Sequence, residues 1–170
     1  MPSRNVLSQG LKAGLIGAAA VALWFLALDA IRGQMLFTPA ALGSALFLGA
    51  TRAEEVEITF GIVALYTVLH VAAFLALGVL VAALIRAAER EPPLLLGAVL
   101  LFVTLEAGII GLIAIAAAWL LDVHAWWSFG VANILAAVGM GAYLWRASPQ
   151  MRSDFADPDL EERDFGRVRG

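Results

Sequence analysis

Three polar side chains interrupt long apolar stretches of the sequence: His70, Glu106 and Asn133. At a rise of ~1.5 Å per helical residue, they lie about 24, 21 and 20 Å from the cytoplasmic end of their own stretch. Helices built from these stretches bring the three side chains to one level, somewhat beyond the middle of a bilayer. An ionisable side chain at that depth is costly unless it is paired or hydrated, so each one needs a reason.

These three residues predict a buried polar cluster, in which the imidazole donates to the carboxylate and the amide completes the hydrogen bonds. Tyr66 and Thr67 lie one turn outward from the histidine on a similar helix face and would extend the polar path. Asp29 is expected nearer the outer edge of the membrane, as a further extension. Two interpretations stay open: a small-ligand or proton-linked site, and polar contacts that hold helices together at ~0.6 to 2 kcal/mol each.

A metal site is a weaker hypothesis, based on Asp122 and His124 between two apolar stretches. Asp29 or the acidic run at 54–57 could supply further carboxylates, but no H-E-x-x-H or similar spacing fixes the ligands. The alternative is a surface histidine beside interfacial tryptophans. No cofactor is predicted, and the absence of cysteine excludes disulfides, thiolate nucleophiles and iron–sulfur clusters of the cysteine type.

The elements that must position these groups are membrane helices. Of the 170 residues, 62% are hydrophobic and 15% are charged, an apolar surplus that a soluble domain of this size could not bury. We therefore predict an all-α, polytopic membrane protein, a four-transmembrane-helix bundle, because four apolar stretches are long enough to cross ~30 Å of hydrocarbon. The predicted spans are residues 12–31, 58–85, 93–121 and 127–145.

The chain divides into a cytoplasmic N-terminus at 1–11, a membrane domain at 12–147 and an acidic tail at 148–170 that is expected to be disordered. Within the membrane domain, residues 40–50 predict a helix too short to span, lying on the outer face as an interfacial or re-entrant segment. Nine of the 11 basic residues fall on the side that holds both termini, which predicts that both termini are cytoplasmic.

Small residues predict close helix packing. Gly10 and Gly14 form a G-x-x-x-G pattern in the first span, and Gly139 and Gly141 provide a similar face in the last one. Such faces usually pack within one bundle, and self-association is the alternative. The expected partners are therefore the lipid bilayer and either a larger membrane complex or a second copy. No basic patch with interleaved aromatic residues indicates nucleic-acid binding.

The chain resembles the YagU-type group of small bacterial inner-membrane proteins. The resemblance is carried by the Gly/Ala-rich first span, the proline-containing first loop, the Thr59-Phe60-Gly61 opening of the second span with His70 inside it, a charged loop with prolines and the aromatic loop 124–127. It implies four helices in the bacterial inner membrane and no established reaction. This chain departs from the group at Glu106 and in its acidic tail.

The expected function is a non-enzymatic accessory or interaction subunit of the bacterial inner membrane. Arginine-rich, lysine-poor usage is typical of a GC-rich bacterial genome. The alternative is a small transporter or proton-linked permease that uses the His/Glu/Asn cluster. A membrane enzyme ranks third, because Ser44, Thr104 and Ser128 have no paired base at a recognisable spacing.

Overall fold

The computed structural model of the chain describes residues 6–88, 119 and 127–147. Within these ranges the chain is all-helical and has no strand, as predicted. The α-helices are α1 (Val6–Ile31), α2 (Phe37–Gly43), α3 (Phe60–Ala88) and α4 (Trp127–Ala147). Three of them, α1, α3 and α4, are long and apolar enough to cross a membrane. The predicted span at 93–121, apart from residue 119, and the tail at 148–170 lie outside the described residues.

The ends of the long helices differ from the predicted ends by up to six residues. The first helix begins at Val6, six residues before the predicted start, because Ser8 and Gln9 are compatible with a helix although they lower the hydropathy. The second long helix begins two residues after its predicted start at 58 and ends three residues after its predicted end at 85. Hydropathy therefore marks where a helix enters lipid, whereas backbone hydrogen bonding decides where the helix ends.

Between α1 and α3 lies the short helical segment. α2 continues into a π-helical turn, Ser44–Leu48, and a 3-10 turn at Ala53–Glu55 precedes α3. The reversal after α1 uses two left-handed residues, Gly33 at φ 70° and Leu36 at φ 66°. Glycine adopts that conformation freely, but a leucine there is strained, so the surrounding contacts must hold the turn in place.

Glycines set the contact between α1 and α3. A Cβ atom on Gly10 would lie 2.5 Å from the Cα of Val79, and one on Gly78 would lie 2.5 Å from the nitrogen of Gly14. Real side chains essentially never approach that closely, so the two backbones touch only because these positions lack a Cβ. The first-span glycine pattern thus packs against α3 within the chain.

α1 also packs against α4, and the direction of α4 follows from two contacts. The rings of Phe25 and Phe129 lie 5.0 Å apart, and Gly17 faces the side chain of Met140. The contact with the higher residue number in α4 has the lower residue number in α1, so these two helices are antiparallel. α1 is antiparallel to α3 as well, because Gly10 lies beside Val79 and Ala18 beside His70. It follows that α3 and α4 run in the same direction.

Two apolar clusters fill the interior. The Phe25 cluster lies where α1 ends and α3 and α4 begin, and the Met140 cluster lies at the opposite end. Trp119 is helical and packs against the Phe25 cluster. The buried members of the Phe25 cluster are Phe25, Phe37, Ala41, Leu42, Phe129 and Ala132. Those of the Met140 cluster are Ala13, Ala82, Met140 and Leu144.

Candidate functional site: a lateral cavity between α1 and α3

A cavity of about 530 Å³ opens between α3 and residues 21–26 of α1 and is bordered by α2 and α4. Its volume is typical of small-molecule sites, which are mostly apolar with a few polar groups. Apolar side chains form most of its wall, among them Val21, Phe25, Leu42, Phe74, Leu77 and Phe129. Its polar side chains are Thr38, Tyr66, Thr67, His70 and Asn133. Four of these five had been singled out in the sequence, and Thr38 had not.

His70 is held in the wall by its neighbours. Its Nε2 lies 3.1 Å from the carbonyl oxygen of Ala18, which can only accept a hydrogen bond, so Nε2 donates. The ring stacks on Tyr66 at a centroid distance of 5.9 Å and contacts Phe74 at 4.9 Å. These aromatic residues sit four positions before and after the histidine, so they share one face of α3. In the neutral ring, Nδ1 is therefore a hydrogen-bond acceptor.

The hydroxyl groups of Tyr66 and Thr67 differ in how they are used. Thr67 Oγ1 donates to the carbonyl oxygen of Val63 at 2.7 Å, which leaves its lone pairs able to accept. The Tyr66 hydroxyl has no hydrogen-bond partner in the part of the chain that the structure describes, and Tyr66 lines the cavity. A partly buried phenol usually forms a hydrogen bond, so a molecule in the cavity can supply the hydrogen-bond partner of this hydroxyl.

Two of the three residues of the predicted polar cluster lie in the described part of the chain. Asn133 of α4 and His70 of α3 line the same cavity. Glu106 lies outside the described residues. The cavity wall therefore carries an imidazole, an amide and two hydroxyls.

Asp29 fixes the start of α2 and is not among the cavity-lining residues. The residue is 1% exposed. One carboxyl oxygen accepts from the backbone N–H of Thr38 and the other from its Oγ1, both at 2.7 Å. The first N–H groups of a helix have no hydrogen-bond acceptor inside that helix, and Asp29 of α1 supplies an acceptor for one of them. Its carboxyl thus ties α2 to the end of α1.

The acidic run at 54–57 forms local contacts outside the membrane helices. Glu55 accepts from the backbone N–H of Thr51 at 2.7 Å and forms an ion pair with Arg52 at 3.1 Å. The Thr51 N–H lowers the pKa of Glu55 below its ordinary value, and the Arg52 charge adds to the effect. Among the described residues, no group of three or more His, Asp or Glu side chains could hold a metal ion. Asp122 and His124 lie outside those residues.

Sequence reasoning missed two features of this site. The first is the Asp29–Thr38 contact, because an acceptor nine residues before the helix start matches no local capping pattern. The second is the row of small and apolar side chains that continues the cavity along α3 from Ala73 to Leu80. The i, i+3, i+4 spacing of alanines and leucines there could have indicated a continuous face, but not that the face borders open space.

Comparison of the chain with protein families, with curated proteins and with solved structures finds no match.

Proposed function

We propose that the chain is a four-span protein of the bacterial inner membrane that binds an apolar molecule taken from the bilayer in the cavity between α1 and α3. The observation that carries the proposal is the cavity itself, which combines an apolar wall, a side opening and a small set of hydrogen-bonding groups. Ala73, Ala76 and Leu80 line it and are exposed in the described part of the structure, so the cavity is open along this side of α3.

Two observations support a fourth crossing. α3 and α4 are parallel, and 38 residues separate Ala88 from Trp127, so the connecting chain has to return from one end of the bundle to the other. Trp119 lies against the Phe25 cluster, at the end where α4 begins. A span at 93–121 accounts for both, because ~20 apolar residues cross a bilayer and a crossing there delivers the chain to that end.

The segment that begins with α2 fits a short outer-face helix. α2 and the following π-helical turn together cover residues 37–48, too few to span. Phe37, Ala40 and Ala41 are buried, whereas Leu46, Phe47 and Leu48 are exposed. One end of the segment therefore packs into the bundle and the other end presents apolar side chains outward, as an interfacial or re-entrant helix would.

Single-cysteine labelling tests the orientation, and the natural chain has no cysteine to remove. We expect Ser3→Cys and Ser148→Cys to react with a membrane-impermeant maleimide only after spheroplasts are opened, because both termini are proposed to be cytoplasmic. We expect Thr51→Cys to react in intact spheroplasts. Labelling of Ser3→Cys and Ser148→Cys on opposite sides would contradict an even number of crossings.

Blocking the cavity tests the binding function. Ala73→Phe should fill the groove without disturbing a buried core, since Ala73 is already exposed. We expect native mass spectrometry of the wild-type protein, released from nanodiscs of its own membrane lipids, to show one retained small molecule per chain. Occupancy should fall at least tenfold in Ala73→Phe, because a ring would occupy the space that the ligand needs.

Ala72→Phe is the matched control, because Ala72 is also exposed but does not line the cavity. It adds the same ring to the same helix and should leave occupancy unchanged. Equal losses in both variants, or no retained molecule in the wild-type protein, would overturn the binding function.

A second candidate is the accessory subunit expected from the sequence, favoured by the side opening, which could receive part of a partner protein. Co-purification in mild detergent would then be lost in Ala73→Phe and kept in Ala72→Phe. The permease alternative is favoured by one observation, the ionisable His70 in the cavity wall. It requires pH-dependent flux in liposomes that His70→Gln abolishes.

A further inference from the structure

The side chain of Tyr66 is held in the cavity wall by its neighbours. Its ring stacks on His70 at a centroid distance of 5.9 Å and packs against the Phe25 cluster. Its Cβ lies at the contact between α2 and α3, 3.4 Å from the place that a Cβ on Gly43 would occupy. These contacts on both sides fix the position of the phenol, which lines the cavity.

The hydroxyl of Tyr66 is open to the cavity. Among the described residues, the indole nitrogen of Trp119 is the one enclosed side-chain nitrogen or oxygen that lacks a hydrogen-bond partner. The Tyr66 hydroxyl has no partner in that part of the chain either, so it is not enclosed by protein atoms. The open space that Tyr66 borders is the cavity, and a molecule there can reach the hydroxyl.

The proton of this hydroxyl has no acceptor among the described residues, which distinguishes Tyr66 from three other polar side chains of the wall. Those three donate within the protein: Thr38 to Asp29, Thr67 to the carbonyl oxygen of Val63, and His70 to the carbonyl oxygen of Ala18. A donor that loses water without gaining an acceptor weakens binding. A molecule that fills the cavity is therefore bound best when it brings an acceptor to Tyr66.

We propose that Tyr66 is the polar anchor of the cavity and donates a hydrogen bond to an oxygen atom of the bound apolar molecule. This assignment rests on the proposed binding function and names one chemical feature of the ligand, an accepting oxygen such as a carbonyl. A membrane offers it from two sources, the ester carbonyl of a glycerolipid and the oxygen of a separate lipophilic molecule. The apolar wall at Ala73, Phe74 and Leu77 contacts the rest of the molecule.

Nuclear magnetic resonance of the full chain in nanodiscs tests the hydrogen bond, because the chain contains two tyrosines. The Cζ carbon of tyrosine responds to hydrogen bonding of its hydroxyl, so ¹³C at Cζ gives one signal each for Tyr66 and Tyr143. Tyr143 packs against the Met140 cluster and does not line the cavity, so its signal is the internal control. The probes are diheptyl ketone and pentadecane, which share a carbon skeleton and differ in one carbonyl group. We expect the ketone to shift the Tyr66 signal alone, and pentadecane to displace the ketone only at three- to tenfold higher concentration.

Tyr66→Phe removes the hydroxyl and keeps the ring. In native mass spectrometry of protein released from nanodiscs of its own membrane lipids, we expect this variant to lower occupancy by the retained molecule three- to tenfold, the effect of one hydrogen bond. Tyr143→Phe is the matched control and should leave occupancy unchanged. The free energy of unfolding of the delipidated protein should not fall in Tyr66→Phe, since no described residue bonds to this hydroxyl. The accurate mass of the molecule retained by the wild-type protein distinguishes a glycerolipid from a separate lipophilic molecule.

The outcomes separate the anchor from the binding function. Unchanged occupancy in Tyr66→Phe, equal binding of the ketone and the alkane, or a retained molecule whose formula contains no oxygen would overturn the anchor alone. A Tyr66 signal that the ketone does not move, together with occupancy that Ala73→Phe does not lower, would overturn the binding function itself.

Discussion

Replacing Asp29 with alanine is expected to lower the free energy of unfolding by about 2 to 4 kcal/mol, because two buried hydrogen bonds to Thr38 are lost and their donors are left unpaired. Each bond is 2.7 Å long, and the carboxyl is almost wholly removed from the surface. The start of α2 would lose its connection to α1. Equilibrium unfolding in mixed micelles with increasing SDS measures the change.

Two further variants identify the cause. Asp29→Asn keeps one carbonyl acceptor and should lose about half as much as alanine. Glu54→Ala, at an exposed position of the following loop, removes a carboxylate of the same charge and should change the unfolding free energy by less than about 0.5 kcal/mol. A loss for Glu54→Ala as large as that for Asp29→Ala would mean that net charge, and not the contact with Thr38, is responsible.

Gly14→Ala should destabilise the protein by about 3 kcal/mol, although it adds a single methyl group to a helix. The new Cβ would meet the carbonyl of Phe74 and lie 2.8 Å from the Cα of Leu75, so α1 and α3 would have to move apart. Backbone atoms cannot rotate away as a flexible side chain can, so overpacking here falls at the upper end of the usual range. The same SDS titration gives the value.

Gly141→Ala is the matched control and should change the free energy of unfolding in the opposite direction. A Cβ at Gly141, in the interior of α4, meets no heavy atom within 4 Å in the described structure. Alanine is a better helix former than glycine, so we expect a gain of about 0.5 to 1 kcal/mol. Loss of stability in both variants, by similar amounts, would contradict the close α1–α3 contact.

The helices could be predicted because each one coincides with a continuous apolar stretch of the sequence. Val6–Ile31, Phe60–Ala88 and Trp127–Ala147 are each found within six residues of the predicted limits at either end. Counting residues along each helix also predicted a common level for His70 and Asn133. Both residues line one cavity.

Counting residues could not predict how each helix is rotated about its axis or which side chains it contacts. Asp29 was expected to extend the polar path, but depth says nothing about its partner, and the partner is the start of α2. Lipid is apolar, so the lipid-facing and buried sides of a membrane helix have similar hydropathy and periodicity does not separate them. The apolar run from Ala73 to Leu80 therefore gave no sign of a cavity.

The measurement that tests the cavity most directly is a high-resolution structure of the wild-type protein crystallised from a lipidic mesophase. We predict continuous density for one apolar molecule in the cavity, in contact with His70 and Ala73. A groove closed by direct contact between the side chains of α1 and α3, or one filled by a protein helix, would contradict the binding function proposed for this chain.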